Sequence, residues 1–221
     1  MRSWGTSSDD ILPFGSNPIL NAWIVNLPQL ILSFSYIVLN GICTSMASAE
    51  EWNNFARTRK GLRVTKPSGA QRSTHFLQLP YKWAIPLLIT STALHWLLSQ
   101  SFFLVRLDVI SREKVIVPES SKSACGFSRL SLWIFFVVAL ILVCAIGLVG
   151  LRRMKQKIPF AASCSLVISA ACHPVTGEVE PHLKDVKWGV VGEEIESGFA
   201  HCCITSTHTL RKELVRGRIY R

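Results

Sequence analysis

The sequence predicts a mainly α-helical membrane protein with about three transmembrane helices and a small cytoplasmic α+β tail. Hydrophobic residues make up 49% of the 221 residues and charged residues only 17%, whereas about 25% of an average soluble domain is charged. The apolar residues are concentrated in three blocks, at about 19–46, 83–105 and 130–151. Basic residues crowd the edges of these blocks, as they do beside membrane spans. We therefore divide the chain into a lead-in, a transmembrane region of residues 19–151 and a tail of residues 152–221.

The N-terminal lead-in, residues 1–18, is polar and interrupted by glycine and proline, and it predicts a disordered or extended segment. Asp9 and Asp10 argue against a secretory signal peptide here. The first apolar block, 19–46, contains several polar residues and Pro28. A proline kinks a helix from within or is tolerated at its start, so Pro28 either bends this span or begins it.

The second and third blocks give stronger predictions. Residues 83–105 form 23 positions without Asp, Glu, Lys or Arg. A helix of that length covers about 34 Å, which exceeds a hydrocarbon core of about 30 Å. Residues 130–151 are also uncharged and are followed by four basic residues within 152–157. An uncharged run that ends in a basic cluster is a stop-transfer pattern.

The distribution of charge between the blocks predicts the orientation. The first loop, 47–82, has seven basic and two acidic residues, and the second, 106–129, has five basic and three acidic ones. Three spans place the first loop and the tail on one side, and these are the two more basic segments. The positive-inside rule then puts both in the cytoplasm, with the N-terminus and the second loop outside. The rule leaves open which membrane is crossed.

The tail differs in character from the rest of the chain. Residues 159–172 are apolar and too few to span, which favours a buried, interfacial or re-entrant helix. Residues 186–191 and 200–207 predict two strands joined as a hairpin, and 216–220 predicts a short third strand. A domain this small holds little core of its own. We expect it to lean on the membrane helices.

A polar stripe marks the second predicted span. At helical spacing, one face collects four residues: Ser91, Thr92, His95 and Ser99. An imidazole in hydrocarbon needs a partner. The stripe therefore predicts either a proton relay or substrate path, or a neutral histidine that bonds to a neighbouring helix, for example to Asn40.

Cysteine and histidine in the tail form only weak metal candidates. Cys172 and His173 are adjacent, as are His201 and Cys202, and these side chains suit zinc. Their spacing matches no known metal motif, so we predict no metal and no cofactor. The same pairs would be a nucleophile and base only if a third group oriented them. No complete catalytic constellation is visible, and the seven scattered cysteines are not a disulfide framework.

The first predicted loop contains a basic run that suits anionic lipid headgroups. Its members are Arg57, Arg59, Lys60, Arg63 and Lys66. The other interpretation is a solvated loop that serves as a topology signal. The net charge of +10 lies beside apolar blocks rather than on a separate domain, which argues against nucleic-acid binding. The expected partners are thus the lipid bilayer and anionic headgroups.

Several separated segments resemble one family. The stretch 60–105, KGLRVTKPSGAQRSTHFLQLPYKWAIPLLITSTALHWLLSQSFFLV, is similar to uncharacterised fungal multi-pass membrane proteins that carry an N-terminal DUF6536 domain. The segments SCSLVISAACHP, VKWGVV and HCCITS look like the C-terminal region of that family. The resemblance covers residues 24–221 and implies a membrane location without an established activity. It also implies that the chain corresponds to the C-terminal part of a longer protein, as a fragment or a paralogue.

Three functions remain open at this point. The first is a non-enzymatic component of a channel, transporter or sensor. The second is a membrane scaffold that binds anionic lipid or a protein partner, and the third is a membrane enzyme that uses the tail cysteines and histidines. A water-filled cavity at His95 and Ser99 would favour the first, a dry helix bundle with an exposed basic loop the second, and convergence of the tail groups the third. The sequence does not predict the oligomeric state.

Overall fold

The chain, in a computed structural model, is mainly α-helical with a small strand-containing part. The structure describes residues 11–12, 18–107, 122–152, 158–159, 161, 164–173, 177–193 and 200–207. In chain order the elements are β1 (Ile11–Leu12), α1 (Pro18–Asn54), β2 (Arg63–Val64), β3 (Arg72–Ser73), α2 (Tyr81–Ser101), β4 (Phe102–Leu107), β5 (Lys122–Phe127), α3 (Arg129–Gly150), α4 (Ser165–Ala171), a 3₁₀ turn (Pro181–Leu183), β6 (Lys187–Glu193) and β7 (Ala200–Thr205).

The chain divides into two compact units. Met1–Gly41 and Lys82–Leu151 form one, which we call the helical unit. Ile42–Tyr81 and Arg152–Arg221 form the other, which we call the α+β unit. The first predicted loop therefore belongs to the same unit as the tail.

Helix α1 is longer than the first predicted span. It has 37 residues, or about 55 Å at the usual rise. It begins at Pro18 and continues through Pro28. A proline is tolerated at the first helical position, because the N–H that it lacks would have no partner within the helix there. Pro28 therefore does not begin the helix. Within the predicted lead-in, Ile11–Leu12 form a strand, which is the extended alternative at these two residues; residues 1–10 and 13–17 lie outside the described residues.

Helix α2 is shorter than the second predicted span. It ends at Ser101, and the last residues of that span, Phe102–Val105, lie in strand β4. β4 pairs antiparallel with β5, and β5 pairs with β1. The Ser128 N–H donates to the Ser101 carbonyl at 2.9 Å, which closes the hairpin. The aromatic and branched run FFLV suits a pleated strand. The prediction that the helix continues to residue 105 rested only on the absence of charged residues and was wrong.

Two helices in the described part of the chain are long and apolar enough to cross a membrane: α1 from Ile19 onward, and α3. Only 6% of the most apolar window of α1, and none of that of α3, is buried. Trp23 is 70% exposed and Trp133 71%. Helix α2 is not among these two helices, and its 21 residues include the polar Lys82, His95 and Gln100. One set of its aliphatic residues is buried, namely Leu87, Leu94, Leu97 and Leu98, whereas Ile85, Leu88 and Ile89 are exposed.

The α+β unit has a core of its own. Strands β6 and β7 pair antiparallel, as the predicted hairpin requires. Their buried side chains, including Trp188, Val190 and Cys202, pack with Phe55 at the end of α1 and with Leu62 of the first loop. The tail therefore gains its core from the first loop. The predicted helix within 159–172 is α4, and the hairpin turn 194–199 and predicted third strand 216–220 lie outside the described residues.

Backbone hydrogen bonds join the first loop to the tail. Lys60 and Val186 exchange two bonds of 3.0 and 3.1 Å, and the Trp188 N–H donates to the Phe55 carbonyl at 2.9 Å. Within the first loop itself, Gly61 allows close packing of the backbone, since a Cβ there would lie 1.8 Å from the Ala70 carbonyl oxygen. These bonds fix the loop and the tail in one folded unit.

Candidate functional site

His95 pairs with Gln29 of α1. The His95 Nδ1 and Gln29 Oε1 lie 2.8 Å apart, and Gln29 Nε2 donates to the His95 carbonyl at 3.2 Å. Both side chains are partly buried. Two helices of the helical unit are thus joined by a reciprocal pair of hydrogen bonds between otherwise apolar surfaces.

The hydrogen bond from Gln29 to the His95 carbonyl determines which nitrogen of the imidazole carries the proton. A backbone carbonyl only accepts, so the amide group of Gln29 that faces it must be the NH₂. The amide oxygen then faces Nδ1, and the imidazole must donate from that nitrogen. In the neutral ring the proton therefore lies on Nδ1, which leaves Nε2 as an acceptor.

The predicted polar stripe does not act as one surface. His95 and Ser91 are half-buried, whereas Thr92 and Ser99 are exposed. The Thr92 hydroxyl donates to the Leu88 carbonyl of its own helix at 2.9 Å. The expected example of a partner was Asn40, whereas the observed partner of His95 is Gln29, a polar residue of the same predicted span.

An apolar cavity of about 450 Å³ lies among α1, α2 and α3. Its walls include Leu32, Leu98, Phe135 and Leu142. The hydroxyl that lines it, on Ser35, donates to the Ile31 carbonyl at 2.9 Å. Such walls suit hydrocarbon better than water or ions.

The cysteines and histidines of the tail are only partly brought together. The His173 and His201 rings lie edge to face with centroids 6.4 Å apart, and His173 Nδ1 donates to the Ala170 carbonyl at 3.3 Å. Cys202 is buried in the core beside them, and Cys172 follows α4 directly. Within the described ranges no three His, Cys, Asp or Glu residues are placed to hold a metal ion.

Burial makes the adjacent free thiols of Cys202 and Cys203 poor nucleophiles. It raises the pKa of Cys202 from 9.0 to about 11. It also raises the pKa of Cys203 to about 11, with further contributions from the nearby Glu178, Cys202 and Cys172. Since the thiolate is both the nucleophile and the metal ligand, these two groups are protonated and inert near neutral pH.

The five residues proposed for lipid binding divide into two groups. Arg63 is ion-paired with Glu51 at 2.7 Å, and Arg72 shares the same carboxylate at 3.1 Å. Arg59 donates to backbone carbonyls of the tail. Arg57 and Lys66 are exposed, and Lys60 is half-buried. Arg59 and Arg63 are thus engaged within the α+β unit, whereas Arg57 and Lys66 present their side chains to the surface.

A polar cleft of about 650 Å³ opens in the α+β unit. Its polar lining residues are Arg59, Glu178, Lys184, Asp185, Ser206 and Thr207. Arg59 Nη1 donates to the Ser206 carbonyl at 2.9 Å and to the Asp185 carbonyl at 3.4 Å, and Nη2 donates to the Thr207 carbonyl. The guanidinium thus holds the end of β7 against the turn before β6.

Glu178 fixes the same segment from the other side. Its Oε1 accepts from the Thr205 hydroxyl at 2.9 Å, from the Ser206 hydroxyl at 2.6 Å and from the Ser206 N–H. This cluster could not be predicted from spacing along the chain, because Arg59 and Ser206 are 147 positions apart. Only Gln29 could have been suspected, as a polar residue within an apolar span.

Comparison with known proteins decides the family. A family model described as "Domain of unknown function (DUF8419)" matches residues 4–217. The chain belongs to the DUF8419 family. The resemblance to DUF6536 proteins was therefore wrong, since the chain matches no model of that domain. The segments that suggested it, from both units, fall inside the DUF8419 match. Neither the curated proteins nor the solved structures include a match to the chain.

Proposed function

We propose that this DUF8419 protein is an integral membrane scaffold that crosses the bilayer three times, through α1, α2 and α3. The backbone pairing of its polar segments carries the proposal. β1 precedes α1 and pairs with β5 of the second loop. The first loop pairs with the tail through Lys60 and Val186. Segments joined by backbone hydrogen bonds must lie on the same side of a bilayer, because no strand edge crosses hydrocarbon unpaired.

The exposure of α1 and α3 supports their place in lipid. A helix in the core of a soluble protein is mostly buried, yet the apolar window of α3 has no buried residue. Exposed apolar patches larger than a few hundred Å² are rare on soluble monomers and mark contact with membrane or protein. The 22 residues of α3 cover about 33 Å, which matches the hydrocarbon thickness.

A crossing by α2 then follows from connectivity. If α1 crosses, β1 and the first loop lie on opposite sides. If α3 crosses, the second loop and the tail do so too. Because the first loop lies with the tail, and the second loop lies with β1, α2 must run from one side to the other. Its lower apolarity is tolerable, since His95 has a hydrogen-bond partner and its exposed large residues include Ile85, Leu88 and Ile89.

The charge balance supports the orientation predicted from sequence. The first loop and the tail, which share the α+β unit, are the more basic segments. The positive-inside rule places that unit in the cytoplasm, with β1 and the second loop outside.

The cavity among the helices and the buried thiols of the tail support a scaffold better than a channel or an enzyme. The cavity among the helices is apolar, and the Nδ1 of His95 is hydrogen-bonded to Gln29. The Cys202 and Cys203 thiols are protonated at neutral pH because their pKa values are about 11. The exposed basic residues Arg57 and Lys66 would then hold the α+β unit to anionic headgroups.

The polar cleft favours a second candidate, a membrane sensor. The cleft combines Arg59 and Lys184 with Glu178 and Asp185. A small polar ligand of mixed charge that bound there would contact the segment that Arg59 and Glu178 fix. Binding would thereby alter how the tail is held to the first loop.

Three measurements test the scaffold. After extraction of membranes with alkaline carbonate, the protein should stay in the pellet and dissolve only in detergent. Terminal tags in sealed vesicles should show opposite protease access, and access from the same side would contradict three crossings. Proteoliposomes should conduct no more ions than empty vesicles, and a conductance abolished by His95→Leu would replace the scaffold with a channel.

A further inference from the structure

The loop before α2 ends in a turn with an apolar tip. The Gln78 N–H donates to the His75 carbonyl at 3.1 Å, so Phe76 and Leu77 are the two central residues of a β-turn. Gln78 has a φ of 62°, in the left-handed region, which reverses the chain behind the tip. The central positions of turns usually hold Gly, Pro, Asn, Asp or Ser. A Phe-Leu tip therefore departs from the usual composition of turns, and solubility in water does not explain it.

The tip is exposed although the loop behind it is anchored. Phe76 is 88% exposed and Leu77 is 40% exposed, whereas Leu79 is only 1% exposed. Because Leu79 is buried, the turn is held at its base. An exposed phenyl ring on a fixed turn costs hydration free energy unless something apolar covers it.

The position of the tip along the chain indicates which apolar partner covers Phe76 and Leu77. Phe76 lies five residues before Tyr81, the first residue of α2, so it is within about 18 Å of that helix end. The interfacial layer on each face of a bilayer is about 5–8 Å thick. Tyr81 is itself exposed, and tyrosine is enriched at this depth. If α2 crosses from Tyr81, the tip is within reach of the layer in which aromatic side chains dissolve.

We infer that Phe76 and Leu77 insert into the boundary between headgroups and acyl chains, on the bilayer face where α2 begins. This rests on the proposed membrane crossing and adds a contact to it. The tip then fixes the depth at which α2 enters and holds the first loop against the surface. Lipid, rather than a protein, is the partner because the apolar area is small and directly precedes a span.

Photo-crosslinking in proteoliposomes tests the contact. The phenylalanine analogue p-benzoylphenylalanine, placed at position 76 of the full chain, replaces an exposed ring with a larger one. The vesicles contain phosphatidylcholine with an alkyne-tagged acyl chain, and ultraviolet light attaches the lipid to the protein. The same analogue at Ser68, an exposed position of the same loop, gives the background. At Phe136, 57% exposed on α3, it reports the crossing itself.

Lipid attachment at position 76 should exceed that at 68 by at least fivefold and approach that at 136. Equal attachment at 76 and 68, with strong attachment at 136, would overturn the inference and leave the crossing intact. Attachment of position 76 to a second protein chain instead of lipid would also overturn it. Attachment at none of the three positions would overturn the membrane crossing as well.

Discussion

Replacement of Gln29 by leucine should destabilise the helical unit by about 1–3 kcal/mol. The change removes two hydrogen bonds, of 2.8 and 3.2 Å, to His95. Side-chain bonds between membrane helices are worth about 0.6 kcal/mol on average and at most about 1.7. The His95 Nδ1–H is also left without an acceptor in an apolar setting, which costs about 1–3 kcal/mol.

A double-mutant cycle separates the pair from its surroundings. His95→Leu removes the stronger bond, and the Gln29→Leu/His95→Leu variant leaves no orphaned imidazole. We therefore expect the double variant to be less destabilised than the sum of the single variants, by about 0.6–1.7 kcal/mol. The free energy of unfolding would be measured by steric trapping in bicelles.

Asn26 offers a matched control for this cycle. Its amide donates only within α1, to the Ala22 carbonyl at 2.8 Å. Asn26→Leu should therefore combine additively with His95→Leu. A coupling below about 0.3 kcal/mol for Gln29 and His95, equal to that of the control, would refute the pairing.

Three further results are expected from the folded chain. Gly61→Ala should unfold the α+β unit, because its Cβ would overlap backbone, whereas Gly147→Ala, with open space around it, should leave thermal unfolding unchanged; equal effects would contradict the packing. Trp188→Ala should cost about 3–5 kcal/mol, seen as faster proteolysis of the tail, and unchanged proteolysis would contradict its place in the core. Iodoacetamide at pH 7.5 should label the exposed Cys164 and spare Cys203, whose pKa is about 11; equal labelling would contradict its burial.

The same thiol predicts a pH dependence of stability. The pKa of Cys203 in the fold is about 11, above its ordinary value of 9.0. The unfolded thiol therefore loses its proton first as the pH rises. The contribution of this group to stability is complete below about pH 9 and is lost as the pH rises towards 11. A denaturation midpoint that rose over this interval would contradict the assignment.

The positions of the helices could be read from composition, but their ends could not. The uncharged runs located α1, α2 and α3 because a helix needs length and apolar residues to cross lipid. The end of α1 was underestimated, since Trp52 in its last turn packs against the α+β core. The end of α2 was overestimated, since Phe102–Leu107 gain a partner strand that lies some 20 positions away.

The candidate sites depended on contacts between distant residues, which spacing along one chain does not reveal. His95 could be singled out because an imidazole in an apolar helix is rare, but its partner Gln29 lies 66 positions away. The basic loop was interpreted as one surface for lipid. In the fold, Arg59 donates hydrogen bonds and Arg63 forms an ion pair within the α+β unit, and binding to lipid stays a prediction.

The proposed crossing by α2 is the most direct test, because it follows from the proposed crossings of α1 and α3 and from the pairing of the segments that they separate. Cleavage sites for a specific protease would be inserted at Lys66 of the first loop and between Leu107 and Lys122 of the second, and sealed vesicles would be treated from outside. The account predicts that one site is cut and the other is protected until detergent opens the vesicle. Cleavage of both sites, or protection of both, in intact vesicles would contradict it.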